Sequence, residues 1–132
     1  MEILVGSADG SLKFGDFGLD TKTKASLEIN GDVYKVKTFK EITKLEKNEM
    51  FVYESVPGSA VSDFVQTEDS LEFCVEAASD VQITLEMEEG KDYSVRVDGN
   101  DVGKMTTGLG GKLTLSVETQ AGKKTKVEVK ED

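Results

Sequence analysis

Strict alternation of apolar and polar residues runs through the second half of the chain and constrains what it can fold into. Helical packing would instead need apolar residues three and four positions apart. Turn signals rich in glycine, asparagine and aspartate separate the alternating runs. Short half-buried strands at such spacing predict an antiparallel β-sandwich of the immunoglobulin-like kind. The five runs are Leu71–Ala77, Val81–Met87, Tyr93–Val97, Leu113–Val117 and Thr125–Val129.

The same alternation predicts which side chains form the core. A shift of one residue would turn the whole set to solvent, so the prediction depends on the register of each strand. The residues expected to be buried in mutual contact are Phe73, Val75, Ile83, Leu85, Val95, Val97, Leu115 and Val117.

A hairpin is predicted around Asn30-Gly31-Asp32, with apolar residues leading in and out. A type I′ turn at Asn30-Gly31 would pair Ile29 with Asp32, whereas a type II′ turn at Gly31-Asp32 would pair Ile29 with Tyr34. We favour the second register because it matches apolar with apolar side chains across the strands. Both registers give the same inward face, formed by Leu27, Ile29, Tyr34 and Val36.

Residues 40–48 fit either a short helix or a strand. Phe39, Ile42 and Leu45 lie three apart, as on a helix face. Ile42 is β-branched, however, and Lys47-Asn48-Glu49 is a turn before another strand-like stretch. We favour the strand.

The sequence breaks at Val56-Pro57-Gly58-Ser59, which contains the one proline of the chain. We therefore expect a small N-terminal β subdomain of hairpins and meander at residues 1–66 and an immunoglobulin-like sandwich at residues 67–132. Units of about 65 residues are marginal alone because they bury too little surface. The two halves should then pack on each other or on another copy of the chain.

Met50, Phe51, Val52 and Tyr53 form a run that is apolar on both faces of a strand. Such a strand is expected to be covered on both sides. One face would meet its own half, and the other would meet the second half or another copy. These four residues are the candidate interaction surface, and protein binding or self-association is the expected role.

The residues needed for the common catalytic and metal sites are missing. The chain has no histidine, one arginine (Arg96) and one cysteine (Cys74). Histidine-dependent triads and zinc sites are therefore excluded, and no cofactor or metal is expected. Gly108-Leu109-Gly110-Gly111 lacks the strand-to-helix context of a nucleotide-binding loop and is interpreted as a turn. We predict a protein that is not an enzyme.

Charge and hydropathy disfavour several classes of partner. Sixteen Lys and Arg stand against 26 Asp and Glu, giving a net charge of −10. This balance disfavours nucleic acid and anionic membranes, which bind clustered cations. No apolar stretch approaches the roughly 20 residues of a membrane span, and Met1–Gly6 lacks a cationic leader. With its single cysteine, the chain is expected to be soluble and cytoplasmic.

Two stretches, 32–48 and 51–58, resemble a family of small uncharacterised bacterial proteins, and 103–113 fits the same family. Its members sometimes carry the label endosialidase, which these residues do not support. Sialidases clamp the sialic carboxylate with several arginines, and their Ser-x-Asp-x-Gly-x-Thr-Trp box is absent, since Ser7-Ala8-Asp9-Gly10 departs from it after the aspartate. No active-site residue of the sialidases is therefore assigned to a position of this chain.

Residues 93–99 and 111–117 look like the closing hairpins of immunoglobulin-like modules attached to carbohydrate-active enzymes. A carbohydrate-associated module is therefore the alternative function, and an exposed line of tyrosines would favour it. A small glycosidase-like enzyme with a carboxylate pair is the third interpretation. Its candidate pairs are Glu72 with Glu76 and Glu86 with Glu88. The first prediction remains a non-enzymatic β protein with a structural or protein-binding, self-assembling role.

Overall fold

The computed structural model describes residues 3–7 and 10–132. Met1, Glu2, Ala8 and Asp9, which enter the predictions about a leader and a sialidase box, lie outside the described residues. A 3₁₀ turn spans Leu109–Gly111. The strands are β1 (Leu4–Gly6), β2 (Leu12–Phe14), β3 (Thr23–Ile29), β4 (Asp32–Phe39), β5 (Ile42–Lys47), β6 (Met50–Val56), β7 (Ala60–Gln66), β8 (Ser70–Glu76), β9 (Val81–Glu86), β10 (Asp92–Val97), β11 (Asn100–Thr106), β12 (Lys112–Val117) and β13 (Thr125–Glu131).

The strands form two antiparallel sheets that pack face to face. One sheet has seven strands in the order β1-β2-β7-β8-β13-β10-β11, and the other has six in the order β12-β9-β6-β5-β4-β3. The predicted all-β antiparallel sandwich is confirmed. In the part of the chain that the structure describes, no helix is long and apolar enough to cross a membrane.

Both sheets contain strands from both halves of the sequence. The β6–β9 pair joins the halves in the six-stranded sheet, and the β7–β8 pair joins them in the seven-stranded sheet. The boundary predicted between residues 66 and 67 falls in the connection between β7 and β8. The division into two subdomains stays a prediction.

One apolar core fills the space between the sheets. Seven of the eight side chains predicted for it are buried, and Val97 is half-buried. Four aromatic rings form its centre, with edge-on contacts of Phe14 to Tyr53 at 5.2 Å and Tyr53 to Phe73 at 5.5 Å between ring centroids. Phe64 packs against the same rings. Such edge-to-face pairs add to the burial energy of the rings themselves.

The β3–β4 hairpin adopts the type I′ turn, so the preference for type II′ is wrong. Ile29 pairs with Asp32, and both Asn30 and Gly31 have positive φ angles, of 52° and 85°. A type I′ turn needs that conformation at both central positions, and Asn-Gly adopts it readily. Cross-strand apolar matching does not decide the register, because either register keeps the same residues inward. Asp32 also gains partners here, since the Asn48 side-chain amide donates to its carboxylate at 2.9 Å.

Residues 42–47 form strand β5, which confirms the preference for strand over helix. All six residues pair with β4. Thr43 and Leu45 point into the core, and Ile42 and Lys44 point outward. The sheet register therefore overrides the helical spacing of the apolar residues.

A bulge in β6 explains the run that is apolar on both faces. Leu45 pairs with Tyr53 and Glu46 pairs with Phe51, so Val52 is the extra residue. Val52 and Tyr53 are consequently both buried, although they are adjacent in sequence. A bulge lets two neighbouring side chains serve the same core.

A chain of buried hydroxyls anchors the turn between β6 and β7. Tyr53 and Ser59 are hydrogen-bonded at 2.8 Å, and Ser59 and Ser55 at 2.6 Å. The Ser59 N–H donates to the Thr43 hydroxyl, which lies 2.7 Å from that of Thr38. These bonds compensate the cost of burying the polar groups. Burial raises the pKa of the Tyr53 phenol, and the two serine hydroxyls partly offset this rise.

Truncating Leu85 tests the core. It is fully buried on β9, and Leu85→Ala should lower the free energy of unfolding by about 2–5 kcal/mol. Leu109 is 91% exposed, so Leu109→Ala is the matched control and should leave stability within about 0.5 kcal/mol. Urea denaturation measures both. Equal midpoints for the two variants would show that the inward face of β9 is misassigned.

The Tyr53 phenol predicts a specific loss of stability at high pH. The unfolded chain exposes a phenol that ionises near the ordinary tyrosine pKa of about 10, whereas the pKa of the buried phenol is raised and it keeps its proton. Ionisation therefore favours the unfolded state as the pH rises past about 10. In Tyr53→Phe, the unfolding free energy should fall less between about pH 9 and pH 11 than in the parent. Parallel pH curves from urea titrations would contradict the burial of the ionisable phenol.

Candidate binding surface

The predicted interaction run lies partly on the surface and partly in the core. Met50 is 66% exposed beside the β5–β6 turn, and Phe51 is half-buried on the outer face of the six-stranded sheet. Val52 and Tyr53 are buried between the sheets. The run therefore contributes Met50 and Phe51 to any surface that a partner could reach.

Two lysines, one on the adjacent strand β5 and one on β12, lie against the Phe51 ring. The Lys112 ammonium is 3.6 Å from the ring centroid, and the Lys44 ammonium is 5.9 Å from it. A cation is attracted to the electron-rich face of an aromatic ring. Phe51 is thus partly covered by positive charge, and it marks the edge of a larger cationic surface.

Three lysines stand side by side across β3, β4 and β5. Val36 and Leu45 are buried, so the alternating positions on either side of them face solvent. Lys24 pairs in register with Lys37, and Lys37 pairs with Lys44. We call Lys24, Lys37 and Lys44 the lysine row.

The lysine row has one acidic neighbour, Glu54, which stands in register with Lys44 on β6. Among residues 3–7 and 10–132, no carboxylate oxygen lies within 4.0 Å of the three ammonium groups. The next row of the sheet differs, because Lys35 stands between Ser26 and Glu46 and also approaches Glu49 at 3.9 Å. Like charges directly opposite each other destabilise a sheet. The lysine row is therefore an unfavourable arrangement for folding alone.

A shallow groove of about 450 Å³ runs over these strands. Its charged lining is four lysines against one glutamate among the described residues, in a chain whose net charge is −10. We call it the lysine groove. It is lined by Lys24, Ala25, Ser26, Lys35, Val36, Lys37, Lys44 and Glu46.

Strand β4 forms the middle of the lysine groove and has apolar residues at both ends of its outer face. Val33, Lys35, Lys37 and Phe39 follow one another at every second position, and Val33 and Phe39 are half-buried. The Lys22 ammonium lies 5.7 Å from the centroid of the Phe39 ring. The outward order along β4 is therefore apolar, cationic, cationic, apolar.

The exposed side of Met50 belongs to a different depression, at one end of the sandwich. This depression has a volume of about 600 Å³ and carries several carboxylates. Its acidic side chains are Glu68, Glu86 and Glu88, and Met87 adds an apolar wall. Phe51 lines this depression as well. Met50 and Phe51 thus lie where a cationic face meets an acidic end.

The three tyrosines do not form an exposed line. Tyr53 and Tyr93 are buried, and the Tyr93 hydroxyl accepts a hydrogen bond from the Glu88 N–H at 2.9 Å. Tyr34 is half-buried, with the Lys47 ammonium 5.9 Å from its ring centroid. Rings placed in this way do not offer the stacking platform of a sugar-binding sandwich.

The candidate carboxylate pairs lie on strand surfaces and connections. Glu72 and Glu76 are half-buried on β8, and Glu76 accepts a hydrogen bond from the Gly122 N–H at 2.7 Å. Glu86 is half-buried and Glu88 is exposed. Cys74 lies between Glu72 and Glu76, and burial followed by the nearby Asp63 raises the pKa of its thiol. Within the described residues, no group of three or more Cys, Asp or Glu side chains is arranged to hold a metal ion.

Comparison with protein-family models, curated proteins and solved structures gives no match for this chain. The resemblance to the small bacterial family therefore stays a prediction.

The lysine row is not among the features predicted from the sequence. A signal for it was present, because the polar positions of three successive predicted strands carry Lys24, Lys35, Lys37 and Lys44. Adjacency across strands, however, depends on the register of the β3–β4 hairpin. In the type II′ register that we favoured, Lys24 would not stand opposite Lys37.

Replacing one member of the lysine row should stabilise the fold. Lys37→Thr removes a cation that stands between two others, so the unfolding free energy should rise by roughly 0.2–1 kcal/mol at low salt. The gain should shrink in 1 M NaCl, where charges are screened beyond about 3 Å. Lys35→Thr is the matched control, because it removes a cation opposite Glu46 and should not stabilise the fold. Equal, salt-independent changes for both variants in urea titrations would rule out repulsion in the row.

Proposed function

We propose that this chain is a non-enzymatic protein-binding module that docks its partner on the outer face of the six-stranded sheet. The observation that carries the proposal is the lysine row across β3, β4 and β5, in which Lys37 stands between two other lysines and the three ammonium groups make no ion pair among the described residues. Cross-strand repulsion costs stability, and an anionic partner would relieve it. A sheet surface that is unfavourable by itself becomes favourable in the complex.

The charge distribution of the whole chain strengthens this proposal. Four of its 16 cations line one groove, while the net charge is −10. The groove is thus a local positive field on an acidic molecule. Such a contrast orients an approaching partner and repels the wrong surfaces, which contributes to specificity and association rate.

A protein partner accounts for the surface better than a neutral sugar does. Tyr53 and Tyr93 are buried, and the Phe51 ring is approached by two ammonium groups. Apolar side chains instead flank the cations along β4, in a mixture that suits a polypeptide. Self-association is the homotypic form of the same proposal.

The immunoglobulin-like character of residues 67–132 and the cytoplasmic location belong to this proposal too. In support of the first, β8, β10 and β13 lie in one sheet, and β9 and β12 lie in the other. Chain crossings between two packed sheets are typical of immunoglobulin-like sandwiches. The single cysteine, Cys74, agrees with a reducing compartment.

Affinity capture from an extract of the native cell tests the docking face. The row variant carries Lys24→Gln, Lys37→Gln and Lys44→Gln, and the control carries Lys13→Gln, Lys123→Gln and Lys124→Gln. Both lose three positive charges, but the control residues are exposed outside the lysine groove. We expect a defined protein to be retained by the parent and the control and lost by the row variant, as measured by quantitative mass spectrometry. Retention of the same proteins by all three would contradict the proposal.

A further inference from the structure

We infer that the ligand of the lysine groove is an extended acidic peptide that lies along β4, with carboxylates at alternate positions and an apolar residue two positions beyond each. This inference rests on the proposed function, because it names the chemistry of the partner at the same face. Three features of the groove carry it: the spacing of cations along β4, the cations on its two sides, and the apolar ends.

The spacing along β4 matches that of an extended peptide. Lys35 and Lys37 point to the same face, two residues apart. A strand rises about 3.3–3.4 Å per residue, so their attachment points are about 6.7 Å apart. An extended ligand has the same repeat, and side chains at its alternate positions face the same way. Two carboxylates in the pattern acidic-x-acidic therefore stand over Lys35 and Lys37 together, whereas adjacent acidic residues point to opposite sides.

The flanking strands complete the cationic surroundings. Lys24 on β3 and Lys44 on β5 stand on either side of Lys37, at the distance of roughly 4.5–5.5 Å between paired residues of neighbouring strands. One carboxylate over Lys37 thus approaches three ammonium groups that form no ion pair within residues 3–7 and 10–132. Glu54 on β6 stands beyond Lys44, at the end of the row. In the next row, Lys35 stands between Ser26, whose hydroxyl supplies a donor, and Glu46, and its ammonium lies 3.9 Å from Glu49. The positive charge is therefore strongest at Lys37.

The apolar residues at the two ends of the outer face of β4 predict which residues flank the acidic residues of the ligand. Val33 precedes Lys35 by two positions, and Phe39 follows Lys37 by two. Both are half-buried and offer apolar contact at the same repeat of about 6.7 Å, which is about two residues of strand rise. A complementary peptide has the sequence pattern apolar-x-acidic-x-acidic-x-apolar. The exposed apolar surface and the lysines are then covered by a single segment of seven residues.

Fluorescence anisotropy with two labelled heptapeptides of equal composition tests the register of charges. The first, LSESESL, has acidic residues at alternate positions, and the second, LSSEESL, has them adjacent. We expect the parent protein to bind LSESESL more tightly, by about threefold, which is the contribution of one exposed ion pair. The affinity for LSESESL should also fall as salt rises. Equal binding of the two peptides would overturn the alternate-position match.

Variants locate the peptide on β4. Combined Lys35→Gln and Lys37→Gln should weaken LSESESL binding by about tenfold, through the loss of two ion pairs. Combined Lys123→Gln and Lys124→Gln, with the same change in charge, should leave it unchanged. Circular dichroism and a cooperative urea transition confirm that both variants fold. Equal losses in the two variants would overturn the assignment to the groove.

Two further measurements distinguish an acidic peptide from other ligands of the lysine groove. Tighter binding of a galacturonate oligomer than of LSESESL, lost in the Lys35/Lys37 variant, would overturn the peptide in favour of an acidic polysaccharide. Concentration-dependent light scattering of the parent alone, lost in the same variant, would overturn it in favour of a second copy. If the lysine row retains a cellular partner but neither heptapeptide binds, this inference fails and the proposed function stands. If the row variant also retains every protein that the parent captures from the extract, this inference and the proposed function both fail.

Discussion

The burial of Val36 and Leu45 between the two sheets is the constraint from which the surface chemistry follows. Both side chains are almost fully buried, and they pair with each other across β4 and β5. Because strand side chains alternate, burying these two residues turns Lys35, Lys37 and Lys44 outward. The lysine row is therefore a consequence of core packing. The repulsion it introduces is tolerated because slipping the register by one residue would expose the core.

The buried hydroxyls keep the neighbouring strands in this arrangement. The Thr43 hydroxyl on β5 donates to the Ser59 carbonyl and accepts from the Ser59 N–H, which fixes the β6–β7 turn to β5. The turn also packs closely on β4, since a Cβ added at Gly58 would collide with the Phe39 carbonyl oxygen. Only glycine fits there, although its φ is not positive. The outer face of β4 and β5 is thus supported by a polar but fully bonded layer beneath it.

The acidic composition and the cationic groove are compatible because they act at different distances. Exposed charges that lie farther from a bound ligand than the screening length of about 8–10 Å at ordinary salt are largely screened, so a short ligand in the groove is affected mainly by the nearest side chains. The −10 charge thus argues against long polyanions such as nucleic acid without arguing against a short acidic segment. The net charge of the whole chain therefore does not predict the charge of one face of a sheet.

Most of the strands, most of the inward faces and the absence of histidine chemistry can be predicted from the amino-acid sequence alone, whereas β7 and β11 were not predicted. Alternation is a local property, and the burial of residues such as Phe73, Ile83 and Leu115 follows from it without knowledge of which strands are neighbours. The choice of strand for residues 42–47 was also predictable from composition and the following turn.

The positions of residues across neighbouring strands depend on the folded molecule. The I′ turn at Asn30-Gly31 set which residue of β3 faces each residue of β4, and the bulge at Val52 turned two adjacent side chains into the core. The turn and the bulge each involve one or two residues and leave the alternation of the flanking residues unchanged. Lys24, Lys37 and Lys44 are 7 to 20 positions apart in the chain and become neighbours through strand pairing alone. The alternation of side chains between the two faces of a strand can be predicted from the sequence. Which residues become neighbours across strands depends on turns and bulges that shift the register by a residue or two.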